Sequence, residues 1–211
     1  MAYTQANRLI AINTPLGKDA LLLRGVTGLE GISQLYHFQL DLLSTDQEID
    51  FKDIIGHNVT VRVALRNAQE RFFNGIINRF VQVGNDTRLA SYQATMVPWL
   101  WFLRRTTDCR IFQNKSIPGI IGQVFKDLGY SDYKLQLKGT FEPLDYCVQY
   151  RESDFNFVSR LMEQHGIFYF FEHAKDKHIL VLANDFSSHV PCPEQHQAKW
   201  DPQEGSAVLE E

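Results

Sequence analysis

The segment His189-Val190-Pro191-Cys192-Pro193-Glu194-Gln195-His196 places two imidazoles and a thiol in one short stretch, a ligand set that zinc accepts. A zinc-activated water held by His189, Cys192 and His196 would make a small metal-dependent hydrolase. Such a centre also needs a further position and a rigid surround of hydrogen-bonding groups, and the two prolines leave this stretch extended with no cysteine pair beside it. A solvated loop is the simpler expectation. Glu163, His165, Glu172 and His173 suggest an acid–base group in a cleft. Positions 163 and 165 point to different faces of a helix, however, and His165 directly before Gly166 suits a helix carboxyl end. Arg104, Arg105 and Arg110 follow an aromatic run, the mixture that grips a nucleic-acid backbone while stacking its bases. Asp108 interrupts that run, so Trp99 and Trp101 read as core or interface aromatics and the arginines as local ion-pair formers. There is no Gly-rich phosphate loop, His-Glu-x-x-His pair or Gly-x-Ser-x-Gly elbow. No residue is therefore assigned as catalytic, cofactor-binding or metal-binding, and no cofactor is expected.

Composition points the same way. Hydrophobic residues make up 44% and charged residues 22% of the 211, the balance of a globular chain with a real core. A net charge of -4 gives no overall field to attract phosphate backbones, so nucleic acid is not an expected partner. The longest apolar run, Pro98 to Leu103, stops at Arg104-Arg105, well short of the roughly 20 residues that span a bilayer. The amino terminus shows no secretory signal, so cytoplasmic synthesis is expected. Cys109, Cys147 and Cys192 are odd in number and widely spaced, which predicts reduced thiols.

The elements that must position these residues change character along the chain. Tyr36, Phe38, Leu40 and Leu42 alternate with His37, Gln39 and Asp41, as a half-buried strand requires. Val59, Val61, Val63 and Leu65 repeat the pattern against Thr60, Arg62 and Arg66. Arg71 to Val83 reads as the partner strand of a hairpin, with Gly75 expected at a bulge or barrel bend. Gly84-Asn85-Asp86-Thr87 predicts a turn, and Ala90, Tyr92, Ala94 and Met96 alternate after it. Short strands at this spacing predict a small antiparallel barrel or sandwich. From Asp108 the period becomes helical: Ile117, Ile120, Ile121, Val124, Phe125 and Leu128 form one stripe, with Ser116 as cap and Gly129 as stop. A second helix begins at Ser153, with Phe155, Val158, Leu161, Met162 and His165 on one side and Gly166 to end it. Gly166 to His173 and His178 to Leu182, joined by Ala174-Lys175-Asp176-Lys177, predict a second hairpin. Beyond Asn184 no element is predicted.

Two long stretches carry more than pattern. Val97-Pro98-Trp99-Leu100-Trp101-Phe102-Leu103-Arg104-Arg105-Thr106-Thr107-Asp108-Cys109-Arg110-Ile111-Phe112-Gln113-Asn114, and the run from Tyr146-Cys147-Val148-Gln149-Tyr150-Arg151-Glu152-Ser153 through Phe168-Tyr169-Phe170-Phe171-Glu172-His173, strongly resemble the VgrG proteins, the spikes of bacterial type VI secretion systems. Thr14-Pro15-Leu16-Gly17, Phe73-Asn74-Gly75-Ile76-Ile77 and Lys126-Asp127-Leu128-Gly129-Tyr130 resemble that family too, so the likeness covers approximately residues 1 to 185. It implies a β-rich α+β fold, with an antiparallel β-barrel tube domain near 1–105 and an α+β insertion with two amphipathic helices over 106–184. Residues 185–211 are expected to open a second, incomplete barrel or to form a disordered tail.

The resemblance also implies a trimeric hub related to phage baseplate hubs. Its pseudo-sixfold ring docks on the hexameric tube protein Hcp and supports a puncturing needle, with baseplate components and effectors or adaptors as further partners. Assembly in the cytoplasm and translocation by the apparatus are implied as well. The sequence departs from the family pattern in ending before the second barrel, the following OB-fold and the needle, so puncture is not expected of these residues alone. The contending classes are the metal-dependent hydrolase and a peptide- or glycan-binding module using exposed aromatics.

Overall fold

The computed structural model describes residues 3–65, 68–85 and 88–190 in full, and the backbone alone of 199–201 and 206–208. The expectations placed on Arg66, Asp86, Thr87, Cys192 and His196 lie outside the described residues.

Six antiparallel strands form the first unit: β1 Ile10–Asn13, β2 Leu22–Leu29, β3 His37–Ser44, β4 Asn58–Ala64, β5 Glu70–Asn85 and β6 Ala90–Val97. Their order in the sheet is β1-β4-β5-β6-β3-β2, so the two end strands come round toward each other. Gln5 closes the seam. Its Oε1 accepts from the Ile12 amide of β1 at 2.9 Å and the Leu23 amide of β2 at 3.1 Å, while its Nε2 donates to Ile12 O at 3.0 Å. A buried amide thus satisfies edge groups that would otherwise be unpaired. The alternating residues of β3 and β6 point inward as expected, with Phe38, Leu40, Leu42, Tyr92, Ala94 and Met96 all buried in one core.

Gly75 is not a bulge. The register shifts of β5 fall between Ile77 and Arg79 and between Gln82 and Gly84. Gly75 instead lies where a Cβ would come within 2.6 Å of Met96 Cγ and 2.9 Å of the Val97 carbonyl, so it is a point of close approach. The polar face of β4 also departs from expectation at Thr60, which is buried because a turn from the second unit lies over it.

The second unit contains β7 Thr107–Phe112, α1 Ile117–Asp127, β8 Tyr133–Gln136, β9 Cys147–Ser153, α2 Asp154–Gln164, β10 Phe168–His173 and β11 His178–Ala183. Ser116 and Ser153 cap the two helices, accepting from the Gly119 and Asn156 amides. Gly129 and Gly166 follow the helix ends with φ of 81° and 65°, the left-handed conformation that stops a helix. The stripe of α1 is buried from Ile117 to Phe125 as predicted, while Leu128, at the C-cap, is only partly covered. On α2 the buried set includes Phe157, which the predicted stripe omits, while Phe155 is only partly covered. Hairpin β10–β11 forms as expected, and β8 adds to it in parallel as a third strand, a pairing the sequence did not announce. β7 and β9 make a separate two-stranded ribbon. Trp99, Leu100 and Leu103, on a short 3-10 helix after β6, pack with α1, α2 and the β10–β11 sheet rather than inside the barrel. β12 Lys199–Asp201 and β13 Ser206–Val208 pair as a further antiparallel hairpin.

Candidate functional site

The residues singled out for chemistry do not converge. His189 is exposed and stacked on Phe168, ring centroids 5.1 Å apart, and Cys192 and His196 lie outside the described residues. Among the described residues no group of three His, Cys, Asp or Glu side chains is placed to hold a metal. Glu163 is exposed on α2, His165 caps that helix, and Glu172 pairs with Lys134 at 2.7 Å. The arginines serve locally. Arg104 lies over Phe155 and Arg105 over Trp101, while Arg110 meets Asp108 at 2.9 Å, Asp127 at 3.6 Å and the buried Asp154. Asp154 also accepts from Gln149 Nε2 at 2.9 Å, so its buried charge is matched from two sides. Trp99 is buried and stacks on Tyr130.

The polar side chains that do converge join the two units. Asn74, on β5 and wholly buried, is their centre. Its amide donates to His173 Nδ1 at 3.0 Å, and its carbonyl accepts from Tyr36 OH at 2.7 Å. Its side chain pairs reciprocally with Asn58 and donates to Thr60 Oγ1 at 2.9 Å, and Thr60 in turn donates to Lys175 O at 2.6 Å. Asn74 Oδ1 also receives His178 Nδ1 at 2.8 Å, and His178 Nε2 accepts the Trp99 amide at 2.8 Å. The loop between β2 and β3 grips the same hairpin from its edge: Glu30 meets His173 Nε2 at 2.8 Å, and the Ser33 amide donates to Tyr169 O at 2.8 Å. That contact covers the free edge of β10, and it holds Ser33 at a φ of 55°. Sequence reasoning missed this cluster. Its one signal was a polar Asn in the apolar run Phe72-Phe73-Asn74-Gly75-Ile76-Ile77.

Electrostatically the joint holds rather than reacts. Burial, and secondarily the neighbouring His173, push the pKa of His178 down to about 3, so the ring is neutral near pH 7. Both of its nitrogens are occupied, which leaves no lone pair to accept a proton from a substrate. Burial raises the Tyr36 phenol well above its ordinary range, with a smaller push from Glu30. No nucleophile stands beside a base here.

The molecule is thus a nearly closed, barrel-like sheet bridged by Gln5 with an α+β unit fastened to its flank. Residues 29–211 match the family described as the phage tail baseplate hub (GPD). The chain belongs to that family. This hub chain is 43% identical over 189 residues to the type VI secretion system spike protein VgrG1c of Pseudomonas aeruginosa, covering 90% of the chain and 26% of that relative. The resemblance to VgrG proteins is thus confirmed, over about a quarter of the relative's length. In structure the hub chain is similar to the c3393 protein of E. coli, a type VI secretion component described as similar to the T4 bacteriophage tail proteins gp27 and gp5. That match has a TM-score of 0.71 at 23% identity and covers 81% of this chain and 50% of the other. A Francisella structure of a PdpA-VgrG complex matches with a TM-score of 0.61 at 13% identity, over 92% of this chain and 35% of the other. Both likenesses establish the β-rich fold. No helix among the described residues is long and apolar enough to cross a membrane.

Proposed function

We propose that this chain builds the tube-facing hub of a type VI secretion spike: a trimeric adaptor that docks on the hexameric Hcp tube and carries the needle in the longer protein. The carrying observation is the six-stranded barrel closed by Gln5 with a second unit fixed to its flank, in a chain of the baseplate hub family. Three such barrels with three more from later sequence would present the pseudo-sixfold ring that a hexameric tube accepts. In this reading residues 1–105 are the first tube domain, 106–184 the insertion and 185–211 the opening of the second barrel. The role is scaffolding without turnover, and baseplate components and effectors or adaptors join the assembled spike, as PdpA joins VgrG in the Francisella complex. Assembly takes place in the cytoplasm before the apparatus translocates the spike.

The test is a light-scattering mass of the 211-residue chain with and without the Hcp hexamer. The 211-residue chain alone is expected as a monomer or a concentration-dependent oligomer that joins the hexamer in multiples approaching three. A chain that leaves the hexamer mass unchanged even at high concentration would remove the tube-docking role.

A further inference from the structure

Hairpin β10–β11 meets the barrel at its turn end, where His173 and His178 stand opposite each other across the hairpin. His178 Nε2 receives a backbone N–H, that of Trp99, which cannot be turned round to offer an acceptor. The single proton of the neutral ring therefore sits on Nδ1 and goes to Asn74 Oδ1. A second proton has to enter at Nε2, where it would face the Trp99 N–H. Glu30, the carboxylate that reaches this end of the hairpin, is engaged by His173. Around the turn, Lys175 and Asp176 are exposed, Lys177 pairs with Asp132 at 3.7 Å, and Glu172 pairs with Lys134. Tyr36, whose ring lies 5.8 Å from that of His178, has its hydroxyl on the Asn74 carbonyl. None of these groups is bonded to the His178 ring, and His173, 6.4 Å away between centroids, would repel it if both were charged.

We propose that the histidine pair makes the seat of hairpin β10–β11 on the barrel an acid-released latch. A proton taken from solvent at His178 Nε2 expels the Trp99 N–H and lifts the turn end from Asn74 and Thr60, while the barrel stays folded. In the lifted state the ring meets water and regains its ordinary value of 6.5, whereas burial in the seated state holds it to about 3. Between those two values the lifted state gains about tenfold in population for each pH unit of acidification. The hub then holds the turn end of this hairpin at neutral pH and releases it in acid surroundings.

Hydrogen exchange of the 211-residue chain from pH 7 to pH 4, corrected for the intrinsic rate, reads the latch directly. Peptides covering Trp99 and β10–β11 are expected to lose protection by about tenfold per pH unit below about 6.5, while β4 to β6 keep theirs. Nitrogen NMR of the rings should show His178 as the neutral Nδ1–H form for as long as the hairpin stays protected. His178→Gln, which does not titrate, should flatten the pH dependence at the hairpin. If that variant does not fold, the wild-type exchange and ring titration decide. Hairpin protection independent of pH, barrel and hairpin opening together, or His178 titrating near 6.5 with the hairpin still closed would each overturn the latch.

Discussion

At the scale of single residues, Asn74 has the most consequence for its size. Truncating it leaves the buried His178 Nδ1–H without an acceptor and Thr60 without its donor, and an orphaned buried group costs about 1–3 kcal/mol. Asn74→Ala is expected to lower unfolding free energy by at least about 2 kcal/mol, whereas Asn156→Ala, on the exposed side of α2, should stay within about 0.5 kcal/mol. Urea unfolding of the two variants compares them. The buried phenols set the alkaline limit. Burial, and less so Glu163, raises Tyr169 to about 12, and Tyr36 is raised as well, while phenols in the unfolded chain titrate near 10. The unfolded chain therefore gives up protons first, and stability should be lost as pH climbs from about 10 to about 12, by at least the ~1.4 kcal/mol per unit that one proton carries. Denaturant unfolding followed alongside tyrosinate absorbance would show it, and a flat profile across that range would contradict the burial of both rings.

Among the elements, α1 and α2 supply the apolar stripes of the second core, and Leu161 is fully buried in it while Lys126 faces solvent. Leu161→Ala should cost about 2–5 kcal/mol through lost burial and a residual cavity, against no more than about 0.5 kcal/mol for Lys126→Ala. Thermal melting of both tests the assignment of faces, and equal shifts would refute it. Hairpin β10–β11 differs from the helices in serving two partners. One face of its sheet packs on the helices through Leu180 and Leu182, and its turn end and edge are seated on the barrel.

For the whole molecule, two apolar cores meet at a joint where the hydrogen bonds around Asn74 run beside apolar contacts of Leu35, Ile76 and Phe171. Directional hydrogen bonds at such a joint couple the cores only while all of them are made. The wild-type chain is expected to melt in one calorimetric transition. The double variant Glu30→Ala with Asn74→Ala, which removes the gripping carboxylate and the central amide, is expected to split it into two. A single transition, merely shifted downward, would mean that apolar contact alone couples the cores.

Periodicity sufficed for the two helices and for β3 to β6, β10 and β11, because each needs only one apolar face, which shows in the spacing of a few neighbouring residues; β1, β2 and β7 to β9 carried no such legible pattern, and β7 lies in the stretch expected to turn helical. The caps Ser116 and Ser153 and the stops Gly129 and Gly166 were legible for the same reason, since a helix end is satisfied by residues next to it. Likeness over long stretches supplied the family. Periodicity could not supply the joint, because its partners are far apart in the chain: Asn74 meets His173 and His178 from about a hundred residues away, and Thr60 meets Lys175 from further still. Nor could it foresee that Gln5 closes the barrel, that Gly75 marks a close approach rather than a bulge, or that β8 joins β11 in parallel. Local pattern records which face of an element is apolar, and the sequence by itself determined that much. Which polar group meets which across two cores was decided only when the tertiary structure buried them, because a hydrogen bond acquires its partner and its energetic weight from burial.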